Sequence, residues 1–308
     1  MQMATKEIIL AGLLVIAVQA LALFGMSEQD AHPGSGPPAI KKILVTMYGG
    51  SKEFRALGLE EFGKLESEEP EMPRSLVPKR RGVSCRSYFG LLRILKRGAS
   101  ESQDISLEIR EGLPSIADLH NYDQCIHVQP GGNMHDQYGR DLEVLQNMRK
   151  LFSEFVRAGG YYVGICAGAL FVADRLTYFS SGKNDYILFD PSLKELPKYK
   201  EDSLYQHGLR IPKWAGKDIS KDIITLNTRE GYIAQYFGGP VFDEDDVRND
   251  SWTVLDRAYF GSTEKEEAIV IRKGRVTLIG PHFEFPGGNE DSYRWLFKMV
   301  INKPLEAG

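Results

Sequence analysis

Gly164-Ile165-Cys166-Ala167-Gly168 sets a thiol between small residues, where a strand-like run, Tyr161-Tyr162-Val163-Gly164-Ile165, meets a helix expected over residues 167–173. A nucleophile on so sharp a strand-to-helix turn is held in a strained backbone conformation, and its flanks must be small because neighbouring chains approach closely. The helix that follows aims its free N–H groups at the sulfur and favours the thiolate, the form that attacks. Ala167, directly after the sulfur, would supply one backbone donor to an oxyanion. A buried cysteine beside packing glycines is the bland alternative, and the strand and helix flanks weigh against it.

Two further motifs have the residue types that such a thiol needs. Pro130-Gly131-Gly132 stops the strand Gln124-Cys125-Ile126-His127-Val128, and in a parallel sheet that end lies on the same edge as the turn at Cys166. An N–H of Gly131 or Gly132 is therefore expected to serve as the second oxyanion donor, glycine being required where no Cβ may intervene. His282 and Glu284 follow the apolar run at residues 276–279 and stand two apart, so in extended chain they share one face. The carboxylate can fix the imidazole tautomer while the imidazole accepts the thiol proton and later hands it to a leaving amine. A lone His-x-Glu is usually a surface pair, but its place after a late strand, with the thiol turn upstream, favours catalysis.

The elements that must position these groups read as alternating strand and helix. Ile43-Leu44-Val45-Thr46-Met47 is a buried strand ending at Gly49-Gly50. Gly82-Val83-Ser84 leads into a helix whose face is Tyr88, Leu91, Leu92 and Leu95, and Ile105-Ser106-Leu107-Glu108-Ile109 alternates as a strand. Leu142, Leu145, Met148, Phe152, Phe155 and Val156 mark one face of a helix that Gly159-Gly160 ends. Residues 268–271 and 276–279 flank Lys273-Gly274 as a hairpin, and Asn289 or Asp291 can cap a last helix through Tyr293, Leu296, Phe297 and Val300. The expected fold is α/β: a mostly parallel sheet with helices on both faces and antiparallel strands added in the carboxyl half.

A net charge of −4 with a hydrophobic share of 42% describes an ordinary folded chain and offers no basic surface for nucleic acid. Three scattered cysteines, Cys85, Cys125 and Cys166, exclude a disulfide scaffold, and no cysteine or histidine spacing resembles a metal site. Neither a metal nor a cofactor is expected. Residues 8–26 run without a charge behind Lys6 and read as a signal peptide or membrane anchor, residues 27–39 as a Gly/Pro-rich linker, and residues 40–303 as one domain. Lys6 favours an inside amino terminus, so the domain is expected outside the cytoplasm, secreted or tethered to a membrane.

Pro-Gly-Gly, then Gly-Ile-Cys-Ala-Gly-Ala, then Gly-Pro-His-Phe-Glu-Phe resembles, in order and spacing, the class I glutamine amidotransferase superfamily. Within it the chain is most similar to the amino-terminal domain of biotin-protein ligases, through Gly82-Val83-Ser84, Tyr138, Leu188-Phe189, the run from Tyr236 to Phe242, and Tyr259. The resemblance implies a flavodoxin-like mixed sheet, a Cys-His-Glu triad at Cys166, His282 and Glu284, and glutamine hydrolysis through a thioester as the superfamily's reaction. Two departures stand out: Phe283 occupies the place of the proline usual between His and Glu, and the excursion over residues 48–81 is long. No ligase catalytic domain follows Lys303 in this sequence, so biotin transfer is not expected of it. The substrate expected is a small-molecule or peptide amide. The competing expectation is a non-catalytic ligand-binding or regulatory module of the same type.

Four minor assignments complete the reading. Tyr138 after Pro-Gly-Gly is expected to line the substrate pocket, and Gly238 and Gly239 to bring backbone near the substrate, although a plain turn explains that pair equally well. Cys125 and His127 alternate within one apolar strand and are expected in the core, the histidine with its hydrogen bonds satisfied. Cys85, opening a helix, reads as a bystander thiol rather than a redox partner of Cys166.

Overall fold

The computed structural model describes residues 40–48, 85–132, 142–180, 183–185, 202–211, 224–236, 238–260, 266–285 and 287–301. The leader and linker expected over residues 1–39, nearly all of the 48–81 excursion, and Tyr138 lie outside the described residues. In chain order the elements are β1 (Lys41–Met47), α1 (Cys85–Glu101), β2 (Ile105–Glu111), a 3-10 turn (Ile116–His120), β3 (Gln124–Gln129), α2 (Leu142–Arg157), β4 (Tyr161–Ile165), α3 (Ala167–Phe171), β5 (Ala173–Ser180), β6 (Lys183–Asp185), β7 (Tyr205–Ile211), β8 (Ile224–Asn227), β9 (Ile233–Tyr236), α4 (Glu244–Asn249), β10 (Thr253–Tyr259), β11 (Glu266–Lys273), β12 (Val276–Ile279) and α5 (Glu290–Val300).

The main sheet has seven strands in the order β10-β11-β12-β4-β3-β1-β2. Strands β2, β1, β3, β4 and β12 are mutually parallel, and β11 and β10 are added antiparallel at the β12 side. The order 2-1-3-4 followed by β12 is the flavodoxin-like winding, in which ligands bind beyond the carboxyl ends of the strands. The strands that flank the site are buried on both faces, β12 entirely and β4 from Tyr162 on, which is why their sequences read as continuous apolar runs.

Alternation along β4 assigns its side chains to two cores. Val163 and Ile165 join a cluster with Leu91, Ile94 and Leu95 of α1 and Trp295, Leu296 and Val300 of α5. Tyr162 joins the other, with Met148 and Phe152 of α2 and Leu170 and Phe171 of α3. Helices therefore cover both faces, as the sequence predicts. The cap of α5 is Asn289, whose side chain accepts from the Ser292 amide at 2.9 Å, and Gly274 turns the β11–β12 hairpin at φ 54°.

One boundary differs from expectation. The helix after Cys166 stops at Phe171, and the chain turns at Val172 (φ −98°, ψ 3°) into β5. The buried guanidinium of Arg149 on α2 donates to the carbonyls of Phe171 (2.5 Å) and Ala173 (2.9 Å), capping the freed acceptors at the helix end in place of another helical turn. Beyond it, β5 pairs with β6 and β7 in a three-stranded sheet and β8 pairs with β9 in a two-stranded one, neither of which the sequence foretells. Among the described residues no helix is long and apolar enough to cross a membrane.

Candidate active site

Cys166 leaves β4 at φ 50° and ψ −106°, one of two non-glycine residues with positive φ among those described. A backbone so placed is strained, and three features hold it. The Cys166 amide donates to Ile279 O of β12 at 2.8 Å, its carbonyl accepts from the amides of Ala169 and Leu170, and Tyr162 Oη donates to Gly168 O at 2.8 Å. The flanking glycines are sterically required: a Cβ on Gly164 would stand 2.7 Å from Gly168 O, and one on Gly168 would stand 2.2 Å from Gln129 O. The small residues of the motif let α3 lie directly on β4 and β3.

His282 follows β12 and is fixed through its backbone by a two-way bridge to Gln235 of β9, His282 N to Gln235 O at 2.7 Å and Gln235 N to His282 O at 2.9 Å. Its Nδ1 lies 2.7 Å from Glu284 Oε1; because an ionised carboxylate only accepts, Nδ1 is the donor and Nε2 is left for the thiol. The His282 ring is hydrogen-bonded to the Cys166 side chain. One face of the imidazole stacks on Phe285, with centroids 4.1 Å apart and planes inclined by 18°.

Cys166, His282 and Glu284 thus converge at the carboxyl edge of the sheet, and all three are nearly sealed from solvent, at 6%, 2% and 0% exposure. Burial alone would lower the pKa of His282; the Glu284 carboxylate and then the Cys166 sulfur outweigh it and hold the imidazole well above its ordinary value.

Phe283, in the place of the family's proline, is itself an anchor. Its ring is fully buried and lies 4.6 Å from the Trp295 ring centroid. Where proline would restrict φ, side-chain burial and the Gln235 bridge immobilise the backbone between His282 and Glu284.

The Pro-Gly-Gly loop comes to the same place, but Gly131 has a role other than the one expected. Its amide donates to Ser87 Oγ at 2.9 Å and so does not point at a reacting carbonyl. A Cβ on Gly131 would stand 2.3 Å from His282 Cε1 and 3.0 Å from Cys166 Cβ. The missing side chain therefore makes room for the thiol–imidazole pair itself. Of the other backbone groups expected to bind an oxyanion, Ala167 directly follows Cys166 and Gly132 directly follows Gly131.

Ser87 is the residue that sequence reasoning missed. It is fully buried, and its Oγ lies 2.5 Å from Glu284 Oε1, to which it donates, while accepting from Gly131. The available signal was positional: Ser87 falls on the stripe of α1 shared by Gly90, Leu91 and Ile94, where an apolar residue belongs.

Among the described residues no contact brings Gly238 or Gly239 to the sulfur; Gly238 turns the chain at φ 69°, and a Cβ on Gly239 would stand 1.8 Å from Gly280 O, so the absence of a side chain lets two backbones cross. Cys125 is buried, with its thiol pushed up to about 11, burial being the main cause. His127 lies between Thr46 Oγ1 (3.0 Å) and Gln129 Oε1 (3.4 Å), stacked on Phe152, and burial holds it down to about 3. Among the described residues no cluster of His, Cys, Asp or Glu is placed to hold a metal ion. A shallow cleft lined by Lys42, Ser106, Glu108 and Tyr122 opens at the opposite, amino-terminal edge of β1 and β2, far from this chemistry.

Comparison with known proteins gives one family match and a set of distant structures. The family model described as "Biotin-protein ligase, N terminal" matches residues 118–298, more than half of the chain and inclusive of Cys166, His282 and Glu284. No curated protein matches. Solved structures similar to the chain include a Thermoplasma acidophilum protein named as a subunit of GMP synthase, at 10% identity and TM-score 0.40, covering 85% of this chain and 94% of that one. The glutaminase domain of Trypanosoma brucei CTPS with bound acivicin matches at 10% identity and TM-score 0.41, covering 85% and 94%. A ThuA-like protein from Bacteroides uniformis matches at 11% identity and TM-score 0.40, covering 88% and 96%.

Proposed function

The chain belongs to the biotin-protein ligase N-terminal family, and from that premise we propose that it is an exported, amidotransferase-like hydrolase that cleaves a C–N amide bond through a thioester on Cys166. The observation that carries the reading is the joint one of a thiol at φ 50° hydrogen-bonded to an imidazole whose other nitrogen meets a buried carboxylate at 2.7 Å. Residues in that order of contact are what a thiol nucleophile requires.

In the first half-reaction the Cys166 sulfur attacks the amide carbonyl carbon as His282 holds the thiol proton, and Gly132 N–H and Ala167 N–H bind the oxyanion. Collapse breaks the C–N bond, the imidazolium gives its proton to the departing amine, and a thioester remains. Water, deprotonated by His282, then attacks the thioester; the products are the acid and the free thiol. Glu284 steadies the imidazolium in both halves without leaving its place. The substrate is a small-molecule or peptide amide, and residues 8–26 deliver the domain to the exterior or tether it there.

A second reading draws on the near-complete burial of the triad, with Cys166 only 6% exposed: a ligand-binding module that keeps the fold and not the turnover. A panel of amides, glutamine and short peptides included, offered to wild type and Cys166→Ser decides between them. Hydrolysis by wild type that the serine variant loses supports the enzyme; equal inactivity of both, with ligand binding retained, supports the module.

A further inference from the structure

We infer that Ser87 is a positioning residue of this site, a fourth member that holds Glu284 in register with His282; the inference rests on the hydrolase reading above. The surroundings of the carboxylate come first. Glu284 has no exposure, and a buried carboxyl group without donors bears the full cost of desolvation. Two groups counter this at one oxygen: His282 Nδ1 at 2.7 Å and Ser87 Oγ at 2.5 Å, both at Oε1. No hydrogen-bond partner of Oε2 is found among the described residues. The hydroxyl of Ser87 is therefore half of the described hydrogen bonding that holds this carboxyl group in place.

Ser87 is linked on both sides: its hydroxyl donates to Glu284 Oε1 at 2.5 Å and accepts from Gly131 N–H at 2.9 Å. The chain of hydrogen bonds runs from the Pro-Gly-Gly loop through Ser87 to Glu284, which accepts from both Ser87 and His282, and on to the sulfur, and it ties α1, β3 and β12 into one site. Gly90, one turn on from Ser87, permits the approach: a Cβ there would stand 2.3 Å from Glu284 O.

Removal of the hydroxyl takes a donor from a buried carboxylate and leaves the Gly131 amide unsatisfied. Glu284 then loses its register with His282, the imidazolium loses part of the contact that holds its pKa up, and labelling of the sulfur beside it moves to higher pH. A hydrogen bond to a charged group implies a change of about tenfold or more, so the midpoint for thiolate formation should rise by about one pH unit.

The test is the pH profile of iodoacetamide labelling at Cys166 in the full chain, read by mass spectrometry, with Cys125 as internal reference and Cys166→Ser as the blank. Wild type should label Cys166 far faster than Cys125. Ser87→Ala should raise the midpoint by about one unit and slow labelling at neutral pH by about tenfold, Ser87→Thr should restore both, and Ser87→Ala should change nothing further in a Glu284→Gln background. If Ser87→Ala does not fold, as judged by circular dichroism, Ser87→Cys, close in size and a weak donor, should shift the midpoint the same way. An unchanged midpoint in a folded Ser87 variant overturns the inference while leaving the hydrolase reading in place. Cys166 labelling no faster than Cys125 in wild type overturns the hydrolase reading itself.

Discussion

Gly131 and His282 touch so closely that a methyl group on the glycine would lie 2.3 Å from the imidazole Cε1. The ring cannot retreat, because its far face is stacked on Phe285 and its backbone is bridged to Gln235. Gly131→Ala should therefore displace the imidazole from the thiol and not merely crowd a loop. A displacement on the order of an ångström costs about a hundredfold in rate, so kcat on the best amide of the panel should fall by about that factor. Thermal denaturation of the same variant should show a stable fold; full activity would show that the imidazole has room that these contacts deny it.

Phe283 offers a separable test of how the His-x-Glu segment is held. Its ring is wholly buried against Trp295, and truncation of such a ring costs about 3–5 kcal/mol. Phe283→Ala should lose about that much in urea titration and should also lose activity, since the backbone between His282 and Glu284 is freed. Phe283→Leu, which keeps most of the volume, should lose about 1–2 kcal/mol and retain most of the activity. Loss of stability without loss of activity in the alanine variant would assign the segment's geometry to the Gln235 bridge alone.

The imidazole also makes stability depend on pH in a stated direction. The folded pKa of His282 is raised, to about 10, against an ordinary value of about 6.5. A group whose folded pKa is raised contributes stability that is complete below the unfolded value and is lost as pH rises through the folded one. The advantage of wild type over His282→Gln should therefore be greatest near about pH 6 and shrink steadily toward about pH 10. Urea midpoints for both proteins across that range give the answer, and a difference that grows with pH would reverse the sign and exclude an imidazolium in the folded state.

What is legible in the sequence follows from local pattern. Strands β1, β4 and β12 carry apolar runs because both of their faces are covered there, and Cys166 stands out because glycines flank it where strand gives way to helix. His282 and Glu284 are found by a spacing of two. Ser87 is not, because its partner Glu284 lies 197 residues away and a serine one turn into a helix has no local reason to be special. Gly131 reads as a donor to substrate, whereas the hydroxyl that takes its amide comes from α1, an element whose approach no single motif encodes. The strands β5 to β9 escape for a related reason: they pair among themselves in two small sheets, without the continuous apolar runs of the central strands.

Asp256 carries the last prediction, and it lies outside the site. This carboxylate is buried at 2% exposure in a bulged stretch of β10, where Oδ1 accepts from the amides of Arg257 (2.8 Å) and Glu230 (3.4 Å) and Oδ2 has no hydrogen-bond partner among the described residues. Burial raises its pKa to about 6, above an ordinary value of about 3.9, in spite of the Thr228 side chain and the two amide donors. The folded state therefore holds the proton more tightly than the unfolded chain, and stability is complete below about pH 4 and lost as pH rises through about 6. Asp256→Asn keeps the acceptor and cannot ionise, so it removes that loss. Relative to wild type it should gain stability steadily from about pH 4 to about pH 7 and then level off, as urea denaturation would show. A flat difference across that interval would mean that Oδ2 has found a donor, and that the bulge of β10 is held by a fully paired carboxylate instead of a strained one.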